Sequence, residues 1–146
     1  MRKFVVCLLG LVLGVSCGVL SGCNNDTSLS KPGSSGESGS GAVYQKITPE
    51  RAKEIMDSGE PYILLDVRTD EEYAEKRIDG AVLIPDYEIG VRAVSELPDK
   101  SARILVYCRG GRRSANAANE LLNMGYTHVY DFGGINDWPY DTVSGS

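Results

Sequence analysis

Cys108 closes the apolar run Ile104-Leu105-Val106-Tyr107 and opens Cys108-Arg109-Gly110-Gly111-Arg112-Arg113-Ser114, after which the pattern turns helical. A strand–loop–helix junction with two glycines turns backbone N–H groups toward one point, and the amino end of the helix adds partial positive charge there. Arg109, Arg112 and Arg113 crowd three guanidinium groups into the same loop. Such a setting favours thiolate over thiol and attracts small anions. The chemistry it suits is a sulfur nucleophile working on an anionic partner, with Gly110 and Gly111 keeping side chains out of the cradle and Ser114 closing it. An inert strand-end cysteine needs none of these neighbours.

The other cysteines fall in a different kind of segment. Arg2 and Lys3 precede an apolar stretch, Phe4 to Leu20, that ends sharply at Leu20-Ser21-Gly22-Cys23. This pattern is too short for a confident membrane span and reads as a targeting signal over residues 1–22. It resembles the lipobox of bacterial lipoproteins, which implies cleavage before Cys23, acylation of Cys23 and attachment to a membrane of the cell envelope, with the domain outside the cytoplasm. Cys7 and Cys17 then leave with the signal, and Cys108 is the one free thiol of the mature chain. Exported proteins usually pair their cysteines, so a lone thiol points to chemistry rather than to a staple. Loss of Arg2 and Lys3 takes the net charge from −5 to −7. That sign argues against a nucleic-acid partner or a polybasic membrane contact and makes the arginine cluster a local exception.

Residues 24–41 are rich in serine, glycine and asparagine and read, with Cys23, as a lipidated flexible tether over 23–41 with a reach of roughly 20–25 Å. Residues 42–146 suit one small, monomeric domain. Thr48 caps a helix with Pro49 at its first position and Gly59 past its end. Tyr62 to Val67 is a continuous apolar strand, Thr69 to Glu72 a capping box, and Ala81 to Ile84 a second strand stopped by Pro85. A helix is expected near Tyr87 to Ser95, a strand over Arg103 to Tyr107 and a strand over His128 to Asp131. The clearest helix spans Ser114 to Met124, with Ala115, Ala118, Leu121 and Leu122 on one face. Alternating strands and helices predict an α/β fold with a mostly parallel sheet flanked by helices, whose ligands bind beyond the carboxyl ends of the strands, where Cys108 lies.

Three blocks in this order resemble a rhodanese domain: Leu64-Leu65-Asp66-Val67-Arg68 with Glu72-Tyr73 and Ile78-Asp79-Gly80-Ala81; Val106-Tyr107 with the Cys108–Ser114 loop; and Gly125-Tyr126, Val129-Tyr130-Asp131-Phe132-Gly133-Gly134-Ile135 and Trp138. The likeness covers Tyr44 to about Tyr140. It implies a three-layer rhodanese-like fold and sulfur transfer: Cys108 takes the outer sulfur of an anionic donor such as thiosulfate and passes it to cyanide or a thiol. Arg109 and Arg112 are the candidates for the pocket rim. Arg113 is the candidate to brace the loop through Glu72 or Asp66, and Arg68 ends a strand near the same edge as structural support. One departure stands out: Lys76-Arg77 occupies the place where family members often carry Gly-His. The sole histidine, His128, is expected to be a partly buried strand residue rather than a base.

Two other functions compete. A phosphatase or arsenate reductase could share a cysteine-centred cradle, but cysteine-dependent phosphatases use Cys-x5-Arg. Here the sixth residue after Cys108 is Ser114 and Arg113 comes one earlier, a loop suited to one sulfur atom. A persulfide carrier or redox interaction module would share the nucleophile and lack turnover with small acceptors. One histidine and one free cysteine offer no zinc site without carboxylates, Gly133-Gly134 lacks a dinucleotide fingerprint and reads as a turn, and no cofactor is expected.

Overall fold

The computed structural model describes residues 43–145. The signal read over 1–22, Cys23 and the tether through residue 41 lie outside the described residues. Five parallel strands form one sheet in the order β1-β5-β4-β2-β3: β1 Val43–Lys46, β2 Ile63–Asp66, β3 Val82–Leu83, β4 Arg103–Cys108 and β5 His128–Gly134. The helices are α1 Pro49–Asp57, α2 Asp70–Glu75, α3 Ile89–Glu96 and α4 Arg112–Asn123, with short 3-10 turns at Asp86–Glu88 and Ile135–Asp137. The sheet and its flanking helices form the expected α/β layers.

The period-two rule of a strand sorts the core into two faces. Ile104, Val106 and Cys108 of β4 join Leu65 and Val67, Ile89 and Ala93 of α3, and Ala117, Ala118 and Leu121 of α4. Leu105 and Tyr107 turn the other way, against Ala52 and Ile55 of α1, Phe132 and Trp138. Because both faces are covered, β4 is apolar at every position from Ile104 to Cys108. Cys108 thus falls on the α3/α4 side by register alone.

Local chemistry sets the helix ends. The Thr48 hydroxyl accepts from the Arg51 N–H at 3.2 Å, with Pro49 at the first helical position. Both halves of the capping box at Thr69 and Glu72 are formed. Several expected boundaries shift. The strand expected over Ala81 to Ile84 is only Val82–Leu83, α3 is preceded by a 3-10 turn, α4 begins at Arg112 rather than Ser114, and β5 runs on to Gly134. The buried face of α4 is Ser114, Ala117, Ala118 and Leu121, while Ala115 and Leu122 are only half-buried. β1 carries no apolar run of its own and was not expected; it is held by pairing with β5 from Val43↔His128 to Lys46↔Asp131.

Two buried charges organise the carboxyl edge of the sheet. The Asp66 carboxylate is wholly buried and accepts from the Arg68 backbone N–H at 3.0 Å and from its guanidinium at 2.5–3.1 Å. Arg68 also donates to the Lys76 carbonyl at 2.6 Å and lies over the Tyr107 ring. Removing one member of such a pair leaves the other charged and dry. Arg68→Ala is expected to lower the unfolding free energy in urea by about 3–5 kcal/mol. Arg51→Ala, in the exposed pair with Glu54, is expected to lower it by under about 1 kcal/mol.

Candidate active site

The site sits where β4 ends and α4 begins. Cys108 is the last residue of β4, and Gly111, at φ 92°, is the cap residue from which α4 starts. The left-handed turn at Gly111 aims its N–H at the Cys108 sulfur, N to Sγ 3.1 Å. An N–H pointed at sulfur stabilises negative charge on it. Cys108 itself is 1% exposed. It is nevertheless open to one side: Cys108 lines a cavity of about 250 Å³ whose other walls are Arg109, Gly110, Arg112, Arg113 and Asn136. The sulfur is the floor of a small, cation-walled cup.

What holds the loop in this shape is the end of β5. β4 and β5 pair in register through Val106↔Asp131, but the next pair is Cys108↔Gly134, so β5 carries one extra residue in this step. Gly133, at φ 92°, absorbs the bulge. Its N–H donates to Asp131 Oδ1 at 2.9 Å, and the other oxygen of that buried carboxylate accepts from the Tyr44 hydroxyl at 2.8 Å. Burial first, then the hydrogen bond to Asp131, pushes the Tyr44 phenol up to about 12. The bulge lets the two chains touch. A Cβ on Gly134 would overlap the Arg109 carbonyl and lie 2.7 Å from Gly110 Cα. The buried Ser114 hydroxyl is within bonding distance of the Gly111 and Gly133 carbonyls, 3.0 and 3.1 Å, and ties the first turn of α4 to the bulge. The Asn136 N–H donates to the Arg109 carbonyl at 3.2 Å.

The arginines divide into two sets. Arg113 makes a two-pronged ion pair with Glu72, Nη1–Oε2 2.7 Å and Nη2–Oε1 2.9 Å. Glu72, not Asp66, is therefore its partner, since Asp66 is committed to Arg68. Among the described residues Arg109 and Arg112 form no ion pair, and both are exposed on the rim of the cup. Sequence reasoning named all of these residues but missed Gly133, Gly134, Asp131 and Asn136 as parts of the site. The Gly133-Gly134 pair reads as a turn in the sequence, whereas Gly134 is paired strand. The available signal was that two glycines at a strand end allow close backbone approach. His128 is exposed, not partly buried, because it starts β5 at the opposite edge of the sheet from Cys108. A larger cavity of about 440 Å³ lies at that opposite edge, beside Glu60, Arg103 and His128, and no cysteine lines it.

Residues 48–140 match the rhodanese-like domain family, and the chain belongs to it. It is 41% identical over 81 residues to thiosulfate sulfurtransferase PspE of Escherichia coli, covering 56% of this chain and 78% of that protein. It is 35% identical over 97 residues to a sulfurtransferase of Allochromatium vinosum, covering 66% and 89%. Among solved structures, a rhodanese with anions from E. coli superposes with a TM-score of 0.55 at 39% identity, over 57% of this chain and 99% of that one. A rhodanese-like domain protein from Staphylococcus aureus gives 0.62 at 32% identity, over 70% and 99%. The family's sulfurtransferases are thus the proteins this chain is similar to.

Two outcomes follow from this geometry. Gly134→Ala is expected to force the Arg109–Gly111 backbone away from β5 and to cost about 1–3 kcal/mol in urea unfolding, whereas Gly110→Ala, with open space at its Cβ position, stays within about 0.5–1 kcal/mol of the parent. The Arg113 hydrogen bonds hold the Glu72 carboxyl below the usual carboxylate range. A folded-state value below the unfolded one adds stability that is complete above the ordinary glutamate range, near 4.3, and is lost as pH falls through the lower folded value. Glu72→Gln is expected to remove about 1 kcal/mol at pH 7 and to flatten the acid limb of a stability–pH curve.

Proposed function

We propose that the domain moves a sulfane sulfur through a persulfide on Cys108. The observation that carries this reading is the Gly111 N–H directed at the Cys108 sulfur on the floor of a cup walled by arginines. Arg109 and Arg112, free of carboxylates among the described residues, draw a small anion such as thiosulfate into the cup. The Cys108 thiolate attacks the donor's outer sulfur. The donor S–S bond breaks, sulfite leaves with the bonding electron pair, and the outer sulfur stays on Cys108. That terminal sulfur then sits in a loop whose two glycines present amides and no side chains. A thiol or cyanide attacks it in the second step and returns Cys108 to the thiolate.

The same geometry argues against phosphoryl chemistry. The loop is one residue short of Cys-x5-Arg, and the arginine nearest to that sixth position, Arg113, is held by Glu72. In this reading acylated Cys23 tethers the domain to a membrane of the cell envelope, so donor and acceptor are met outside the cytoplasm.

Treating the purified full chain with thiosulfate is expected to add the mass of one sulfur atom, and Cys108→Ser is expected to abolish that gain. Thiocyanate formation from thiosulfate and cyanide falls at least about a thousandfold in the same variant. Sulfur retained by Cys108→Ser, or p-nitrophenyl phosphate hydrolysis by a chain that gains no sulfur, would overturn the proposal.

A further inference from the structure

The cup over Cys108 has a neighbour. Arg109 and Asn136 also line a second cavity, of about 190 Å³, together with Arg68, Glu72, Glu75 and Lys76. Two walls are thus shared between the sulfur-bearing cup and a polar chamber beside it.

The charges in this chamber are of two kinds. Arg68 is spent on Asp66 and the Lys76 carbonyl, and Glu72 is spent on Arg113. Among the described residues the side chains of Glu75, Lys76 and Arg109 form no ion pair, and that of Asn136 forms no hydrogen bond; all four are exposed. The uncommitted set is therefore two cations, one carboxylate and one amide around a single small space that shares Arg109 and Asn136 with the cup over Cys108. The Lys76-Arg77 departure from the family pattern divides between two tasks. Arg77 turns away, stacked over the Tyr73 ring and bonded to the Gly145 carbonyl, while Lys76 lines the chamber.

A plain anion meets Glu75 as well as Lys76 and Arg109, and a plain amine meets the two cations as well as Glu75. A group carrying both signs can set each charge beside its opposite. We propose that this chamber is the acceptor subsite and that it takes a small thiol bearing both an α-ammonium and a carboxylate, an amino-acid thiol of the cysteine type. Its carboxylate lies between Lys76 and Arg109, its ammonium faces Glu75, and its thiol passes Asn136 into the cup. The proposal rests on the persulfide reading above. The acceptor's thiol proton goes to solvent, and its thiolate attacks the outer sulfur of the Cys108 persulfide. A new S–S bond forms, the Cys108–sulfur bond breaks, and its electron pair remains on Cys108. The acceptor leaves as a persulfide.

The test loads the full chain with thiosulfate and compares L-cysteine, N-acetylcysteine and cysteamine as acceptors, each rate divided by the thiol's thiolate fraction. Cyanide turnover and the mass gain are followed alongside. L-cysteine is expected to exceed each truncated analogue in kcat/KM by about fivefold, the scale of an exposed ion pair. Glu75→Gln is expected to erase the advantage over N-acetylcysteine, and Lys76→Gln the advantage over cysteamine. Equal corrected rates for the three thiols, or a preference that survives both variants, would overturn the subsite while the mass gain and thiocyanate formation leave the persulfide reading standing. Loss of the mass gain and of thiocyanate formation overturns the persulfide reading and the subsite with it.

Discussion

The contact between two backbones, Arg109–Gly110 on one side and Gly134 on the other, governs the geometry around Cys108. No side chain fits there; a Cβ at Gly134 would strike the carbonyl of Arg109. The extra residue in β5 creates the approach, and Gly133 in the left-handed region makes the extra residue tolerable. With the loop pressed against β5, the chain turns at Gly111, and that turn delivers the N–H to sulfur and starts α4 in one step. Cys108 is meanwhile fixed by its place in a buried parallel strand. Cys108 is therefore fixed by β4, while the loop that carries the Gly111 N–H is packed against β5 at the bulge.

Charge in the site follows from the same arrangement. The buried Asp66 binds Arg68, and the partly buried Glu72 binds Arg113, so two of the four arginines near the carboxyl edge serve the scaffold. Arg113 in particular clamps the first turn of α4 to α2. The remaining two, Arg109 and Arg112, are left at the rim of the cup. On a chain whose overall charge is −5, two unneutralised guanidiniums beside a single sulfur make a local attraction for anions. The nearly complete burial of Cys108 limits what can reach it to small groups entering the cup.

The place of Cys108 and the strand–loop–helix around it were legible in the sequence because they are local, whereas the partner of Arg113, 41 residues away, was legible only as Glu72 or Asp66. A strand run ending in cysteine, two glycines and a helical pattern specify strand, turn and helix without reference to the rest of the chain. The capping box at Thr69 and Glu72 is equally local, and it also happens to place Glu72 opposite Arg113. The parts that were missed depend on chain segments far apart in sequence. β1 has no apolar signature and exists because β5 offers it an edge. Gly134 looks like a turn residue until Arg109 is packed on it, and Asp131 looks like a strand-end carboxylate until Tyr44 and Gly133 are bonded to it. The helical pattern begins at Ser114, whereas the cap at Gly111 starts α4 at Arg112.

The claim that amides of this loop hold the transferred sulfur can be tested at the amides themselves. In an amide nitrogen–proton correlation spectrum of the full chain, thiosulfate treatment is expected to move the resonances of Gly110, Gly111 and Arg112 to new positions in step with the gain of one sulfur atom. A thiol reductant should restore them, while Glu60 and Thr127 at the far edge of the sheet stay in place. Sulfur gained with those three loop amides unmoved would contradict the account.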